Sequence, residues 1–375
     1  MINALTTAAL QFFIDKNATD LYLTVGASPC IRVHSKLEYH TSPPLCEEDI
    51  RTIMQDLLPE KAIAEFERDL EYNTAIRWDG NKRLRINVFR QKQNTGMVIR
   101  RVQMEIPTFE DLSLPAIYGN IVMEKHGLIL IVGQTDSGKS SSLAAMVGHR
   151  NQYGSGHIIT IEDPIEFEHN HKNCIITQRD IGIDTLSYST GLKNALRQMP
   201  DVIVIGEIRD LETLHNAISF AETGHLCLAT LHALNASQAI ERIISLYPDE
   251  KRSQVLTNLS LTLKAILSQR LVPNVQNTRS IAIEIMLNLG HIRELILEGN
   301  TKALREYIEK GNSSGMQTFE QALLKMYFDK VITEEVALAE ADSPANLRLA
   351  MRQTSIEKQV ADVRPIVQPM NKLQF

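Results

Sequence analysis

Hydrophobic and polar positions follow two different patterns along this 375-residue chain, and the change comes near residue 113. Before it, the alternation over residues 20–25 (Asp-Leu-Tyr-Leu-Thr-Val) predicts a half-buried strand, and similar short patterns are separated by amphipathic stretches typical of helices. Residues 1–105 are therefore predicted to form a small α+β unit. Its predicted strands are residues 20–25, 30–34, 72–78 and 82–89, with a turn at 79–81, and its predicted helices are residues 5–16, 47–58 and 60–69.

After residue 113, short apolar runs alternate with helical patterns. This alternation is typical of a mainly parallel sheet covered by helices, because the strands of such a sheet are buried on both faces. The chain beyond about residue 239 is predicted to be mostly helical. The predicted strands are residues 128–132, 157–161, 174–177, 202–205 and 226–230, and the predicted helices are residues 255–267, 292–297, 301–310, 318–328 and 333–340.

Length and pattern together predict two domains, because 375 residues exceed one ordinary domain. Pro107 disfavours helix on its N-terminal side and marks a linker. The polar C-terminal end contains Pro365 and Pro369 and is expected to be flexible. We therefore expect an N-terminal domain over residues 1–105, a linker over 106–112, an α/β domain with a helical C-terminal part over 113–350, and a tail over 351–375.

Composition narrows the function classes. A hydrophobic content of 43% supports real cores, and a net charge of −6 gives no indication of a nucleic-acid partner. The four cysteines form no Cys-x-x-Cys pair, which favours a reducing compartment over a disulfide or zinc framework. No apolar run is long enough to span a membrane, and the N-terminus lacks a signal-peptide pattern. A cytoplasmic protein is expected.

The segment Gly-Gln-Thr-Asp-Ser-Gly-Lys-Ser, residues 133–140, fits the phosphate-loop pattern Gly-x4-Gly-Lys-Ser/Thr. It lies between a predicted buried strand and a helical stretch, so the loop aims backbone N–H groups at one point, where a triphosphate can accept them. Lys139 is expected to reach the β- and γ-phosphates, and the Ser140 hydroxyl to ligate Mg²⁺. The predicted nucleotide-binding residues are Gly133, Gln134, Thr135, Asp136, Ser137, Gly138, Lys139, Ser140 and Ser141.

Two acidic segments follow predicted strands. Glu162 and Glu166 lie just past residues 157–161, at the edge of a parallel sheet where ligands bind, and can hold Mg²⁺ or orient a water; a solvated acidic loop is the alternative. Glu207 follows Gly206 at the end of strand 202–205, as in a Walker B element, and projects where an attacking water would lie. A salt-bridged strand end is the alternative there.

Two histidines, His225 and His232, stand at either end of the predicted strand 226–230. Histidines in such positions can sense a γ-phosphate and transmit its loss to a neighbouring subunit. A structural role for both is equally compatible with the pattern.

These four segments, in this order and spacing, resemble the Walker A, Asp-box, Walker B and His-box motifs of the secretion-ATPase superfamily. The resemblance extends from Asp20 to about Arg348 and is closest to the PilT/PilU family of type IV pilus retraction ATPases, nearest its PilU branch. Residues 156–160, 171–174, 221–232 and 315–319 carry that closer match. Pilus assembly and type II secretion relatives usually have a four-cysteine zinc knuckle, which this sequence lacks.

The resemblance implies a RecA-like P-loop ATPase domain preceded by a small α+β PAS-like domain, in a homo-hexameric ring that binds ATP and Mg²⁺. It implies an inner-membrane pilus platform protein as partner, a paralogous PilT-type ATPase as a second one, and no nucleic acid. Residue by residue, it gives catalytic places to Glu207, Glu166, Glu162, His225 and His232, phosphate-contacting places to Arg85 and Arg100, and metal-binding places to Ser140 and Glu207.

The sequence departs from the family at three places. Asp136 stands where the inner glycine of the phosphate loop is usual, and its charge is expected to weaken ATP binding. Retraction motors carry an arginine at the position of Gln93, where only Lys92 is nearby. Their Ala-Ile-Arg-Asn corresponds here to His-Ile-Arg-Glu at residues 291–294. The last difference favours the accessory type of motor, and Asp136 keeps open the alternative of a regulatory subunit.

The resemblance implies an ATP-hydrolysing motor for pilus retraction and twitching motility, located in the cytoplasm at the inner-membrane face of the pilus machine. Two alternatives stay open. One is a nucleotide-binding regulatory subunit that hydrolyses little and modulates a separate motor. The other is an assembly or type II secretion ATPase.

Overall fold

The computed structural model describes residues 2–33, 36–79, 82–102 and 104–363, with side chains described as far as residue 355. The strands are β1 (Asp20–Thr24), β2 (Cys30–Val33), β3 (Lys36–Tyr39), β4 (Glu71–Trp78), β5 (Lys82–Gln91), β6 (Asn94–Arg101), β7 (Gly127–Gly133), β8 (Gly156–Glu162), β9 (Cys174–Asp180), β10 (Val202–Ile205), β11 (Leu226–Leu231), β12 (Leu263–Pro273) and β13 (Arg279–Leu287). The helices are α1 (Ala4–Asp15), α2 (Glu47–Leu57), α3 (Glu60–Asp69), α4 (Ile117–Val122), α5 (Lys139–Tyr153), α6 (Tyr188–Ala195), α7 (Leu211–Glu222), α8 (Ala236–Ser245), α9 (Arg252–Thr262), α10 (His291–Glu298), α11 (Thr301–Lys310), α12 (Phe319–Phe328), α13 (Glu334–Glu340) and α14 (Pro344–Val363).

The chain divides into two compact units. The first contains Met1–Thr108 and Ala144–Glu207, and the second contains Phe109–Leu143 and Ile208–Phe375. Helix α5 begins in the second unit and continues into the first.

In the first unit, residues up to 108 form a six-stranded sheet in the order β3-β2-β1-β6-β5-β4, with antiparallel neighbours throughout. Apolar and polar residues alternate along these strands because one face of the sheet packs on α1, α2 and α3. The side chains on that face are completely buried, among them Leu21, Ile31, Ile86 and Ile99. This confirms the predicted small α+β fold. The sequence pattern missed β3 and β6, and of the predicted turn at 79–81 only Asp79 lies among the described residues.

The register of this sheet places charged residues in one row across four strands. Asp20 on β1 lies opposite Arg32 on β2 and Arg100 on β6, and Arg100 lies opposite Arg85 on β5. Residues paired across strands project to the same face, so this row stands on the face away from the helices.

The remainder of the first unit has parallel pairing, in the order β10-β8-β9. Strand β10 is buried at all four positions, which explains its uninterrupted apolar sequence. The register sets Thr160 of β8 beside Gln178 of β9.

In the second unit the strand order is β13-β12-β7-β11. Strands β11 and β12 run parallel to β7, and β13 runs antiparallel to β12. Mixed α/β architecture with a mainly parallel sheet was predicted and is confirmed.

The expected helix over residues 255–267 is wrong in its second half. Helix α9 ends at Thr262 and the chain continues directly into β12, which pairs with β13 to form an unpredicted hairpin. Strand β12 is buried between β7 and β13, so its apolar run is nearly continuous. Such a run does not distinguish a buried strand from a buried helix by its period.

Helices α12, α13 and α14 form a satellite core with the ends of β12 and β13, centred on Phe319, Leu323 and Leu347. Of the expected tail, residues 351–363 belong to α14, and residues 364–375 lie outside the described part of the chain. Among the described helices, none combines the length and the apolar character needed to cross a membrane.

Candidate active site

The backbone of the phosphate-loop segment takes conformations and close contacts that its glycines and one aspartate allow. Strand β7 ends at Gly133, and α5 begins at Lys139. Gly138 has φ +87° and Asp136 has φ +60°, both in the left-handed region. A Cβ on Gly133 would lie 2.3 Å from Ser137 Oγ and 2.6 Å from the Gln269 carbonyl oxygen, so only glycine fits there.

The donors of this segment converge on the start of α5. The first backbone bond of its opening turn runs from Ser142 N to Gly138 O, and the preceding N–H groups have no intrahelical acceptor. Lys139 Nζ lies over the loop, donating to Gly133 O at 3.0 Å and to Gln134 O at 2.7 Å. Ser137 Oγ is buried and has no hydrogen-bond partner among the described residues. A helix N-terminus, a lysine and an unsatisfied hydroxyl fit a phosphate group.

A buried glutamine, Gln269, contacts the first turn of α5, and the sequence pattern does not identify it as part of the site. Gln269 Nε2 on β12 donates to Ser142 Oγ at 2.8 Å and to the Tyr118 hydroxyl at 3.1 Å. All three residues are completely buried, and burial raises the pKa of Tyr118. Gln269 thereby ties the first turn of α5 to β12. The only signal was a glutamine inside an apolar strand.

In the first unit, the Glu162 carboxyl at the end of β8 is held at one oxygen. Thr160 Oγ1 donates to Oε1 at 2.6 Å and Gln178 Nε2 donates to the same atom at 3.1 Å. Burial, with a smaller contribution from the charges of Asp180 and Glu166, raises the pKa of Glu162 to about 7, although the two hydrogen bonds act to lower it. A carboxyl with this pKa exchanges protons near neutral pH.

Two predicted arginines face the same acidic segment. Burial raises the pKa of Asp180, and the charges of Arg83 and then Arg85 act to lower it. Arg83 Nη2 lies 3.5 Å from Asp180 Oδ2. Arg100 Nε donates to Asp20 Oδ1 at 2.7 Å, and this bond raises the pKa of Arg100, with a smaller contribution from Glu166. The first unit thus brings Arg85, Arg100, Glu162 and Glu166 into one region.

Glu207 directly follows a glycine that is packed against this region. Gly206 N donates to Ile161 O at 2.8 Å, and a Cβ on Gly206 would lie 3.1 Å from the Glu162 Cα atom. The close approach of the two chain segments explains the glycine before Glu207. Within the first unit, Glu207 and Glu162 therefore leave from neighbouring strand ends.

The two predicted histidines do not lie together. His225 precedes β11 and His232 follows it, so they stand roughly 20 Å apart along the strand. Because β7 and β11 are parallel, with Val132 opposite Leu231, His232 is at the strand end that leads into the phosphate loop. His225 is at the opposite end of β11. Its Nδ1 lies 3.1 Å from Thr223 Oγ1 and 3.3 Å from Phe220 O, at the C-terminal end of α7. These contacts are compatible with the structural role that the sequence pattern also allows for His225.

Comparisons with known proteins agree with this geometry. Residues 83–336 match the family "Type II/IV secretion system protein". The chain is 46% identical over 344 residues to the type IV pilus ATPase PilU of Pseudomonas aeruginosa, covering 92% of this chain and 90% of PilU. It is 37% identical to the type IV pilus retraction ATPase PilT of the same organism, covering 91% of this chain and 99% of PilT.

The fold has a counterpart among solved structures. The crystal structure of the pilus retraction motor PilT with bound ADP superposes with a TM-score of 0.86 at 37% identity, covering 93% of this chain and 99% of that one. The family match spans more than half of the chain, and the relatives are matched over nearly their whole length. The chain therefore belongs to the type II/IV secretion system protein family, together with the pilus ATPases PilU and PilT.

Proposed function

We propose that this protein is an ATP-hydrolysing motor for type IV pilus retraction, and so for twitching motility, of the accessory PilU type. The observation that carries the proposal is a phosphate loop of intact geometry in a chain that is 46% identical to PilU over 92% of its length. An assembly or type II secretion ATPase is the weaker assignment, because the chain covers 90% of PilU and 99% of the retraction ATPase PilT.

The working protein is proposed to have a PAS-like domain over residues 1–105, a linker over 106–112, a RecA-like ATPase domain over 113–350 and a tail over 351–375. The antiparallel sheet of residues 20–101 and the parallel strands β7, β8, β10 and β11 support the first and third assignments.

The proposed phosphate contacts come from the segment 133–141. Lys139 exchanges its two carbonyl acceptors for phosphate oxygens, and the first turn of α5 supplies backbone donors. Ser140 and Glu207 are the proposed holders of Mg²⁺. When bound, the ion supplies charge neutralisation at the phosphate oxygens.

The proposed hydrolytic groups are carboxylates. Glu207 orients the attacking water, with Glu162 and Glu166 beside it, because phosphoryl transfer requires positioning and charge balance more than covalent work by the protein. Arg85 and Arg100 offset the negative charge of the phosphates. An arginine is always charged and grips phosphate with two donors. His232 stands at the strand end where a γ-phosphate sensor is needed.

The assembly is proposed to be a homo-hexamer in the cytoplasm that acts on an inner-membrane pilus platform protein, with a PilT-type paralogue as a second motor. Its support is the similarity to ATPases named for the pilus and its retraction. A head-to-tail interface of this chain with itself closes into such a ring.

One observation favours a second candidate, a regulatory subunit with little hydrolysis of its own. Asp136 is exposed in the phosphate loop and takes the left-handed backbone of the glycine that is usual there. Its carboxylate adds negative charge to a segment that is proposed to bind phosphate.

Steady-state ATP hydrolysis by the full-length protein separates the two candidates. We expect turnover that falls at least a hundredfold in Lys139→Ala and is unchanged in Lys61→Ala, an exposed lysine on α3. No turnover in the wild type, with turnover gained in Asp136→Gly, identifies the regulatory subunit instead. No turnover in any of these proteins overturns the assignment as a motor.

A further inference from the structure

The side chain of Gln178 on β9 uses both ends of its amide. Its Nε2 donates to Glu162 Oε1 at 3.1 Å and to the Phe167 carbonyl oxygen at 2.9 Å. Its Oε1 accepts from the backbone N of His169 at 2.7 Å. The residue therefore ties the end of β8 to the backbone segment 167–169.

Hydrogen bonds hold only one of the two oxygens of the Glu162 carboxyl. Thr160 and Gln178 both donate to Oε1, Oε2 accepts no hydrogen bond from the described residues, and the residue is partly exposed. One oxygen is fixed to the scaffold by hydrogen bonds while the other is not. A carboxylate held in this way has a defined direction for its free oxygen.

An amide is the side chain that suits this position. Glu162 already has Glu166 and Asp180 as negative neighbours, so a glutamate at position 178 would add a third and lose the donor. A leucine fills the same space but supplies neither the donor to Glu162 nor the acceptor for His169 N. Only the amide satisfies all three partners at once.

We propose that Gln178 is a positioning residue that fixes the orientation of the Glu162 carboxyl for its part in ATP hydrolysis. The inference rests on the proposed function, since it assigns Gln178 a part in that reaction. Gln178 acts through Glu162 and not on the nucleotide. Its loss therefore lowers kcat and leaves the KM for ATP nearly unchanged.

The test is a double-mutant cycle in the full-length protein, with kcat and KM for ATP measured for wild type, Gln178→Leu, Glu162→Gln and the double variant. Thr177→Val is the matched control, because Thr177 is the neighbouring residue on β9 and its hydroxyl contacts His157 Nε2 at 2.8 Å, away from Glu162. We expect kcat to fall about tenfold in Gln178→Leu with KM within twofold, and to stay within twofold of wild type in Thr177→Val.

The cycle distinguishes positioning from a general structural effect. If Gln178 acts through Glu162, Gln178→Leu changes kcat by less than twofold once Glu162 is already Gln. Equal losses in both backgrounds, or a loss that appears in KM, overturn the inference while leaving the motor assignment intact. An inactive wild type overturns the motor assignment, and the inference with it. Gln178→Glu, measured in parallel, must also lower kcat, and this serves if the leucine variant does not fold.

Discussion

Two carboxyl groups of this protein have similarly raised pKa values but lie in different surroundings. Glu162 in the first unit and Glu284 in the second both have a pKa raised to about 7, mainly by burial. Both are held at one oxygen by two donors; for Glu284 these are Ala236 N at 2.7 Å and Ser268 Oγ at 2.9 Å. Glu284 is buried, with only 5% of its surface exposed, whereas Glu162 is partly exposed and has Glu166 and Asp180 as charged neighbours.

The difference teaches that a raised pKa does not by itself mark a reacting group. Glu284 Oε1 accepts from the backbone N of Ala236 in the first turn of α8, next to the N-cap Asn235, so this carboxyl has a structural role. Both carboxyls have charged neighbours, which for Glu284 are Asp342 and Arg270. Glu162 differs because it is partly exposed, whereas Glu284 is buried. Geometry, not titration, separates the two.

The largest expected effect separates them by turnover. Glu162→Gln is expected to lower kcat at least a hundredfold, because the amide lacks the charge and basicity that a positioned carboxylate supplies. Glu284→Gln is the control, and we expect its kcat to remain within threefold of the wild type. Equal losses in the two variants would remove the basis of the comparison.

The next effect concerns stability, and here the two carboxyls are expected to behave alike. A carboxyl whose pKa rises on folding contributes stability that is complete below the unfolded pKa, near 4.5, and is lost as the pH rises through about 7. For Glu284 the full change in the free energy of unfolding over this pH range is about 3 kcal/mol. Glu284→Gln removes this titration.

Thermal unfolding at pH 5 and pH 8 measures that effect. The melting temperature of Glu284→Gln relative to wild type is expected to rise from pH 5 to pH 8. Glu162→Gln is expected to shift in the same direction. A relative melting temperature that does not change with pH would show that neither carboxyl titrates in this range.

The smallest effect comes from a third carboxylate, Asp136, which is exposed. At about 6 Å from a phosphate charge its repulsion is roughly 3 kcal/mol at an effective dielectric constant of 20, and solvent screens most of it. We expect Asp136→Gly to bind ATP about three- to tenfold more tightly in a nucleotide titration. Asp136→Asn keeps a side chain that tolerates the left-handed backbone, so it tests the charge alone. Identical affinities in all three proteins would contradict a role for the charge.

Sequence reasoning was sufficient where chemistry is carried by neighbouring residues. The phosphate loop, the glycine before Glu207 and the acidic segment after β8 are each contiguous, and a strand or helix boundary fixes their direction. The positive φ of Gly138 and of Asp136 follows from the loop pattern itself. These parts of the fold and site could be predicted.

The supporting residues could not be predicted, because they depend on pairing between distant segments. Gln178 reaches Glu162 only through the register of β8 and β9, and Gln269 reaches Ser142 across 127 positions. Gln269 and Glu284 are polar residues inside β12 and β13, two apolar strands that the sequence pattern does not predict. A local period carries no information about which strand a residue will face.

The row of charges on the N-terminal sheet has a consequence for movement. Asp20 is 3% exposed and binds Arg100 through Oδ1, while Thr19 Oγ1 donates to Oδ2 at 2.9 Å and Arg32 Nε lies 3.8 Å from that same atom. If Arg100 turns toward a new anion, the aspartate retains a hydrogen bond and a cation. When Arg100 leaves, the buried carboxylate of Asp20 therefore still has partners. The free-energy cost of leaving a buried charge unpaired, which usually holds such an arginine in place, is largely absent.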